Sequence, residues 1–297
     1  VQGLDGDPDD RGGRDVHTLR NPAVLAVQEA YVRRVVDAVQ DLDNVLFEIG
    51  NEHHEDSFDW QCHMIRLIRE HESAKPMHHP VGMTSGGGDP DSLTNAQIFA
   101  STADWVSPRD EADAPYAGNP PASSGPKVII TDTDHLWGMG GSPDWVWKSF
   151  MRGLFPILMD PYQPLYGLLD MEIEKFREWR ELNDAGHPLW EQLRHHLTRA
   201  AEVAASVDLT NLRPSPESAS SGFCLADAGV LYLVYAPDGE AVSIDVGPCT
   251  RQYALEWLNP VDDRRIGSAP GMACGTMTCA NPFGQPAVLI VRAAPES

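Results

Sequence analysis

Between residues 44 and 160, short apolar runs alternate with stretches of helical periodicity, and that alternation leaves few folds open. The runs are Val45-Leu46-Phe47-Glu48-Ile49, Pro80-Val81-Gly82-Met83-Thr84, Asp104-Trp105-Val106-Ser107, Lys127-Val128-Ile129-Ile130-Thr131-Asp132 and Phe155-Pro156-Ile157-Leu158-Met159-Asp160. Residues 22–41, 60–72, 95–100 and 143–153 separate them with helical patterns, the first opened by the capping pair Asn21-Pro22. Strands alternating with helices build a parallel sheet with βαβ crossovers. The expected class is α/β with five such strands, the first of them a buried run, and further helices over 173–182 and 189–205.

After Pro214-Ser215-Pro216 the texture changes. Val230-Leu231-Tyr232-Leu233-Val234-Tyr235, Ala241 to Val246, Tyr253 to Trp257 and Ala287 to Val291 are short runs separated by Gly, Pro and Asp, with Pro237-Asp238-Gly239 as a hairpin turn. That spacing predicts a small all-β sandwich. The expected domains are residues 1–209 and 210–297, and Tyr232, Tyr235 and Trp257 are read as sandwich core rather than ligand platforms.

A formal net charge of -22 over 297 residues opposes nucleic acid and anionic membrane surfaces, both of which need positive charge. A neutral ligand such as a carbohydrate, or a cation, fits better. No run of eighteen apolar residues and no basic leader before an apolar segment is visible, and the sequence opens at Val1 rather than Met. Of five cysteines, Cys62 stands alone and Cys224, Cys249, Cys274 and Cys279 fall in the last quarter, where one or two disulfides would imply secretion. A secreted or periplasmic location is the expectation, with a cytoplasmic one left open. The Asp- and Gly-rich residues 1–20 fail the EF-hand pattern, since Asp10 and Val16 stand where Gly and Glu belong, and read as a solvated acidic loop.

A parallel βα array places its active site at the carboxyl ends of its strands. Glu52 follows the first strand, Asp132 and Asp134 the fourth, and Asp160 the fifth. Two carboxylates across one cleft are the equipment of glycoside hydrolysis, one protonating the leaving oxygen, the other attacking the anomeric carbon or activating water. A single strand-end acid is more often a cap or half of an ion pair; it is Asn51-Glu52 together with Thr131-Asp132-Thr133-Asp134-His135 that carries the reading. Trp137 and Trp105 are candidate faces for a sugar ring, and His53, His54 and His135 candidate partners of its hydroxyls. Asp132, Asp134, His135 and His53 also suit a metal-dependent hydrolase, though no His-x-His or His-Glu-x-x-His spacing is present. His78 and His79 read as surface residues.

The run Phe47-Glu48-Ile49-Gly50-Asn51-Glu52 resembles the fourth-strand motif of clan A (β/α)8 glycoside hydrolases, where Asn precedes the acid/base Glu. Lys127 to Gly138, with Trp145 to Phe150, resembles more closely a family of candidate glycosidases related to the apiosidase-like barrels, which carries a C-terminal domain assigned without demonstration to collagen binding. The resemblance spans nearly the whole chain. It implies the C-terminal five βα units of a TIM barrel followed by a β-sandwich, an O-glycosyl hydrolase acting on a neutral or plant-type polysaccharide or oligosaccharide, and no cofactor. Glu52 is then the acid/base beside the sugar-binding Asn51, and the nucleophile is Asp132 by strand matching or Asp134 by the apiosidase-like pattern, the latter preferred. Asp160 is a further substrate contact. The two Asp share a face if their strand continues. Asp is one methylene shorter than the usual Glu, which keeps an inverting mechanism open. The first three βα units of such a barrel are absent, so the expectation is an N-terminally truncated fragment. The alternative from another class is a non-catalytic carbohydrate- or matrix-binding protein.

Overall fold

The computed structural model describes residues 13–86, 91–160, 187–248 and 251–294. The helix expected over 173–182 and the start of the Asp-rich segment lie outside them. Two compact units divide the chain: residues 1–110 with 124–130, and residues 111–123 with 131–297.

In the first unit β1 (Phe47–Glu48), β2 (Val81–Thr84), β3 (Trp105–Ser107) and the start of β4 (Val128–Asp132) form a parallel ladder. Phe47 lies opposite Val81, Gly82 opposite Trp105, and Trp105 opposite Val128. Gly82 is required there, because a Cβ would overlap the Trp105 indole that lies across it. Along β4 the pleat sends Ile129 and Thr131 inward to burial, whereas Val128 stays 46% exposed. The helices are α1 (Pro22–Val39), α2 (Phe58–Glu72) and α3 (Asn95–Ala100). Asn21 caps α1 by accepting from the Val24 N–H at 3.3 Å, and Thr94 with Gln97 closes a full capping box on α3.

Two expectations for this unit are corrected. The first strand is not a buried run: β1 is two residues long, pairs only with β2 among the described residues, and leaves Leu46 55% exposed, as an edge strand does. The expected helix α1 is present, its Leu25 and Val32 packing towards Trp60, Met64 and Leu67 of α2 while Val27 and Tyr31 face outward. The acidic loop is not wholly solvated, for Asp15 is buried and ion-paired to Arg20 at 3.0 Å.

The second unit takes in the end of β4 and holds α4 (Thr133–Trp137), α5 (Pro143–Met151), β5 (Phe155–Ile157) and α6 (Pro188–Ala205). From Arg213 onward the chain is antiparallel. A seven-stranded sheet contains β6 (Arg213–Pro214), β7 (Cys224–Asp227), β8 (Leu231–Ala236), β10 (Gln252–Leu258), β11 (Arg265–Gly267), β12 (Gly271–Met272) and β14 (Ala287–Ala293), and β9 (Val242–Asp245) pairs with β13 (Thr276–Cys279).

All six residues of β8 are buried, because its sheet is covered on both faces. Leu231, Leu233 and Tyr235 join a core with Trp145, Trp147 and Trp190 of α5 and α6, whereas Tyr232, Val234 and Ala236 join Val242 and Ile244 of β9. Val288 and Ile290 of β14 take the helical side; Leu289 and Val291 take the other. Tyr235 stacks on Trp147 with centroids 6.3 Å apart, and its hydroxyl donates to Asp144 at 3.2 Å. Tyr232, Tyr235 and Trp257 are therefore core, as the sequence suggests. Cys224 and Cys279 are buried free thiols, and Cys274 is disulfide-bonded. Among the described residues no helix is long and apolar enough to cross a membrane.

Candidate active-site loops

Past β1 the chain turns sharply at Ile49-Gly50-Asn51-Glu52-His53. Gly50 lies under the His53 imidazole, which a Cβ would overlap. Glu52 has φ 51°, a left-handed backbone conformation that costs an ordinary L-residue about 1–2 kcal/mol. Its side chain, like that of Asn51, is exposed. The loop is pinned on both sides: Thr84 Oγ1 donates to Glu48 Oε1 at 3.0 Å, Leu93 N–H to the His53 carbonyl at 3.1 Å, and Glu55 N–H to the Asp91 carbonyl at 2.7 Å.

Behind Glu52 sits a ring cluster. The His53 imidazole lies 4.2 Å from that of His17, 5.7 Å from Trp60 edge-on and 6.3 Å from that of His54, centroid to centroid. Burial, helped by the charges of His17 and His54, pushes His53 down to about 4, so its ring is neutral near pH 7. A neutral imidazole both donates and accepts, which suits a sugar hydroxyl. His17 was not foreseen from the sequence; it stands 36 residues upstream with no periodic relation to His53.

In the second unit β4 stops at Asp132, and α4 begins at the next residue. The strand does not continue, so Asp132 and Asp134 do not share a strand face. Asp132 instead caps α4, its Oδ1 accepting from the Asp134 N–H at 3.0 Å, and Asp134 occupies the first helical turn. Thr133 Oγ1 fixes the same turn by accepting from Met159 N–H at 2.8 Å. His135 is buried. Trp137 packs edge-on against Trp145 at 5.3 Å and 85°, leaving it partly exposed.

Two residues expected at the site have other placements. Asp160 is gripped by Arg194 of α6, both carboxylate oxygens accepting at 2.7 Å, and this ion pair holds its carboxyl below the ordinary range. Trp105 opens β3 at the amino-terminal edge of the ladder, whereas Glu52 follows the carboxyl end of parallel β1. His79 is a further correction: it is 6% exposed, donates its backbone N–H to Glu72 Oε2 at 2.9 Å, and pairs through Nδ1 with Glu72 Oε1 at 2.6 Å. Its neighbour His78 is exposed, as expected.

No family model matches the sequence, and no curated protein matches it. Among solved structures, one described as a glycoside hydrolase aligns with 92% of this chain and 70% of its own at 13% identity and a TM-score of 0.58. That likeness shows the fold. A candidate glycoside hydrolase from Bacteroides vulgatus ATCC 8482 aligns with 91% of this chain and 56% of its own, at 11% identity and a TM-score of 0.45. A noncanonic maltogenic alpha-amylase from Thermotoga neapolitana aligns with 93% of this chain and 67% of its own, at 9% identity and 0.44.

Proposed function

We propose that the chain carries the five C-terminal βα units of a glycoside hydrolase barrel followed by a β-sandwich, with Glu52 as general acid/base and Asp134 as the second carboxylate. The observation that carries the reading is the left-handed backbone of Glu52: an exposed, non-glycine residue is held in a costly conformation beyond a parallel strand. Backbone strain of this kind persists where the surroundings fix it, and it concentrates at functional sites. Of the two Asp, Asp132 spends an oxygen on capping α4, and Asp134, in the first turn of that helix, is assigned the chemistry. The solved glycoside hydrolase with the same fold makes this chemistry the natural one to test.

Glu52 protonates the glycosidic oxygen, and Asp134 either attacks the anomeric carbon or draws a proton from water. Asn51 and neutral His53 bind hydroxyls beside Glu52, and His135 and the partly exposed Trp137 complete the sugar contacts. A net charge of -22 repels anionic polymers, so the substrate is a neutral poly- or oligosaccharide. The binding-only reading finds little support in the antiparallel region, whose Tyr232, Tyr235 and Trp257 are all buried. Hydrolysis of a panel of neutral oligosaccharides and alkyl glycosides, whose leaving groups need protonation, with Glu52→Gln and Asp134→Asn as controls, tests the assignment. Each variant is expected to lose roughly 10²-fold or more in rate; wild-type rates in either remove that residue from the mechanism.

A further inference from the structure

At the opposite end of the ladder from Glu52 lies a cavity of about 480 Å³, bounded where β1 to β4 begin. Small-molecule sites commonly run from about 300 to 1,000 Å³. Its apolar wall is made by Leu46, Trp105, Val128 and Ile130. Its polar rim holds two cations and one carboxylate, Arg69, Lys127 and Asp104, in a chain that is otherwise strongly acidic.

The rim carries an excess of donors. Arg69 Nη2 donates to Asp104 Oδ1 and to the Thr102 carbonyl, each at 2.6 Å, and Asp104 Oδ2 is taken by the Val81 N–H at 2.9 Å. Lys127 Nζ meets only neutral acceptors among the described residues, the carbonyls of Ser101 at 2.8 Å and Ala103 at 2.6 Å. An ammonium has three N–H groups, so one is left over. Trp105 is 8% exposed, and its indole N–H is buried with no acceptor among the described residues. A buried donor without a partner is destabilising, and an acceptor from outside would relieve it. Burial also lowers the Lys127 pKa despite the nearby charge of Asp104, the direction that a bound anion would reverse.

We propose that this cavity binds a small carboxylate with an aromatic or branched apolar body, its oxygens on Lys127 and the Trp105 N–H and its body against Leu46, Val128 and Ile130. The site is separate from the proposed hydrolytic one, and its test needs no glycoside. Phenylacetate, 3-phenylpropionate and isovalerate are titrated into the full chain by calorimetry, with phenylacetamide as the uncharged isostere. At least one acid is expected to bind saturably with one site per chain, and roughly tenfold more tightly than the amide, the margin of one charge-assisted hydrogen bond. Lys127→Met should erase that margin while leaving the amide unchanged, and Trp105→Phe should weaken the acid with the ring retained. Absence of saturable binding by all three acids overturns the proposal, and so does equal affinity for phenylacetate and phenylacetamide. The comparison of acid with amide is made on the unaltered chain, so it stands even if a variant fails to fold.

Discussion

The junction of α5, α6 and β8 makes the fold acid-sensitive in a way that one residue controls. His196 is 7% exposed, and its Nδ1 accepts from the Trp147 indole N–H at 2.9 Å, so the ring is neutral with its proton on Nε2. Burial pushes it from 6.5 down to about 4, His195 adding to the effect and Asp263 opposing it. Between those values the unfolded chain holds a proton that the native chain does not, so stability rises with pH there. The contribution is complete above pH 6.5 and is lost as pH falls towards 4. For one group with these two pKa values, linkage gives a loss of about 2.5 kcal/mol between pH 7.5 and 4.5. His196→Asn keeps a side-chain acceptor for Trp147 but does not titrate. Urea unfolding of both proteins at the two pH values should show the wild type losing about 2.5 kcal/mol more than the variant. A proton NMR titration gives the second reading, with His196 silent through pH 6. Equal losses in the two proteins, or a His196 resonance that titrates near 6.5, would show that His196 is not the group responsible.

The other predictions concern the first unit and the chemistry. Glu72→Gln, which breaks the buried pair with His79, should cost about 3 kcal/mol in denaturant unfolding. The Glu72 bond, foremost, raises the His79 pKa; this contribution is complete below pH 6.5 and fades as pH climbs through the raised value, so the cost should shrink at pH 9. Glu52→Gly should raise the melting midpoint, gaining about 1 kcal/mol by relieving the left-handed backbone, while abolishing hydrolysis; a lower midpoint would mean that the backbone of Glu52 is not strained. Chelation by EDTA should leave the hydrolytic rate unchanged, and a loss restored by added zinc would transfer the chemistry to the metal-dependent reading.

What could be read along the chain was whatever local chemistry decides. The run Val128 to Asp132, the cap Asn21-Pro22 and the helical stripe of α5 each declare their element within a few residues. The alternation of Leu231 to Ala236 marked a strand, but its periodicity could not say that both faces are covered, because α5 and α6 come from distant sequence. The turn from β4 into α4 was hidden because Asp132 is as good a strand end as a helix cap, and only the Asp134 N–H decides. His79 looked superficial because its partner, Glu72, lies on the preceding helix. At the candidate site, Asn51-Glu52 was legible as a motif and the left-handed turn that presents Glu52 was not. The placement of Trp105 at the other end of the ladder followed from strand boundaries that a three-residue strand scarcely signals.

Whether Glu52 donates the proton to the leaving group can be tested on one variant. Glu52→Ala is assayed on a neutral glycoside with an unactivated leaving group and on its dinitrophenyl counterpart, which needs no protonation. The loss should be roughly 10²-fold or more on the first substrate, whereas release of dinitrophenolate in the first turnover of the second should stay near the wild-type rate. Equal losses of first-turnover cleavage on both, or full activity on both, would remove Glu52 from the role of acid.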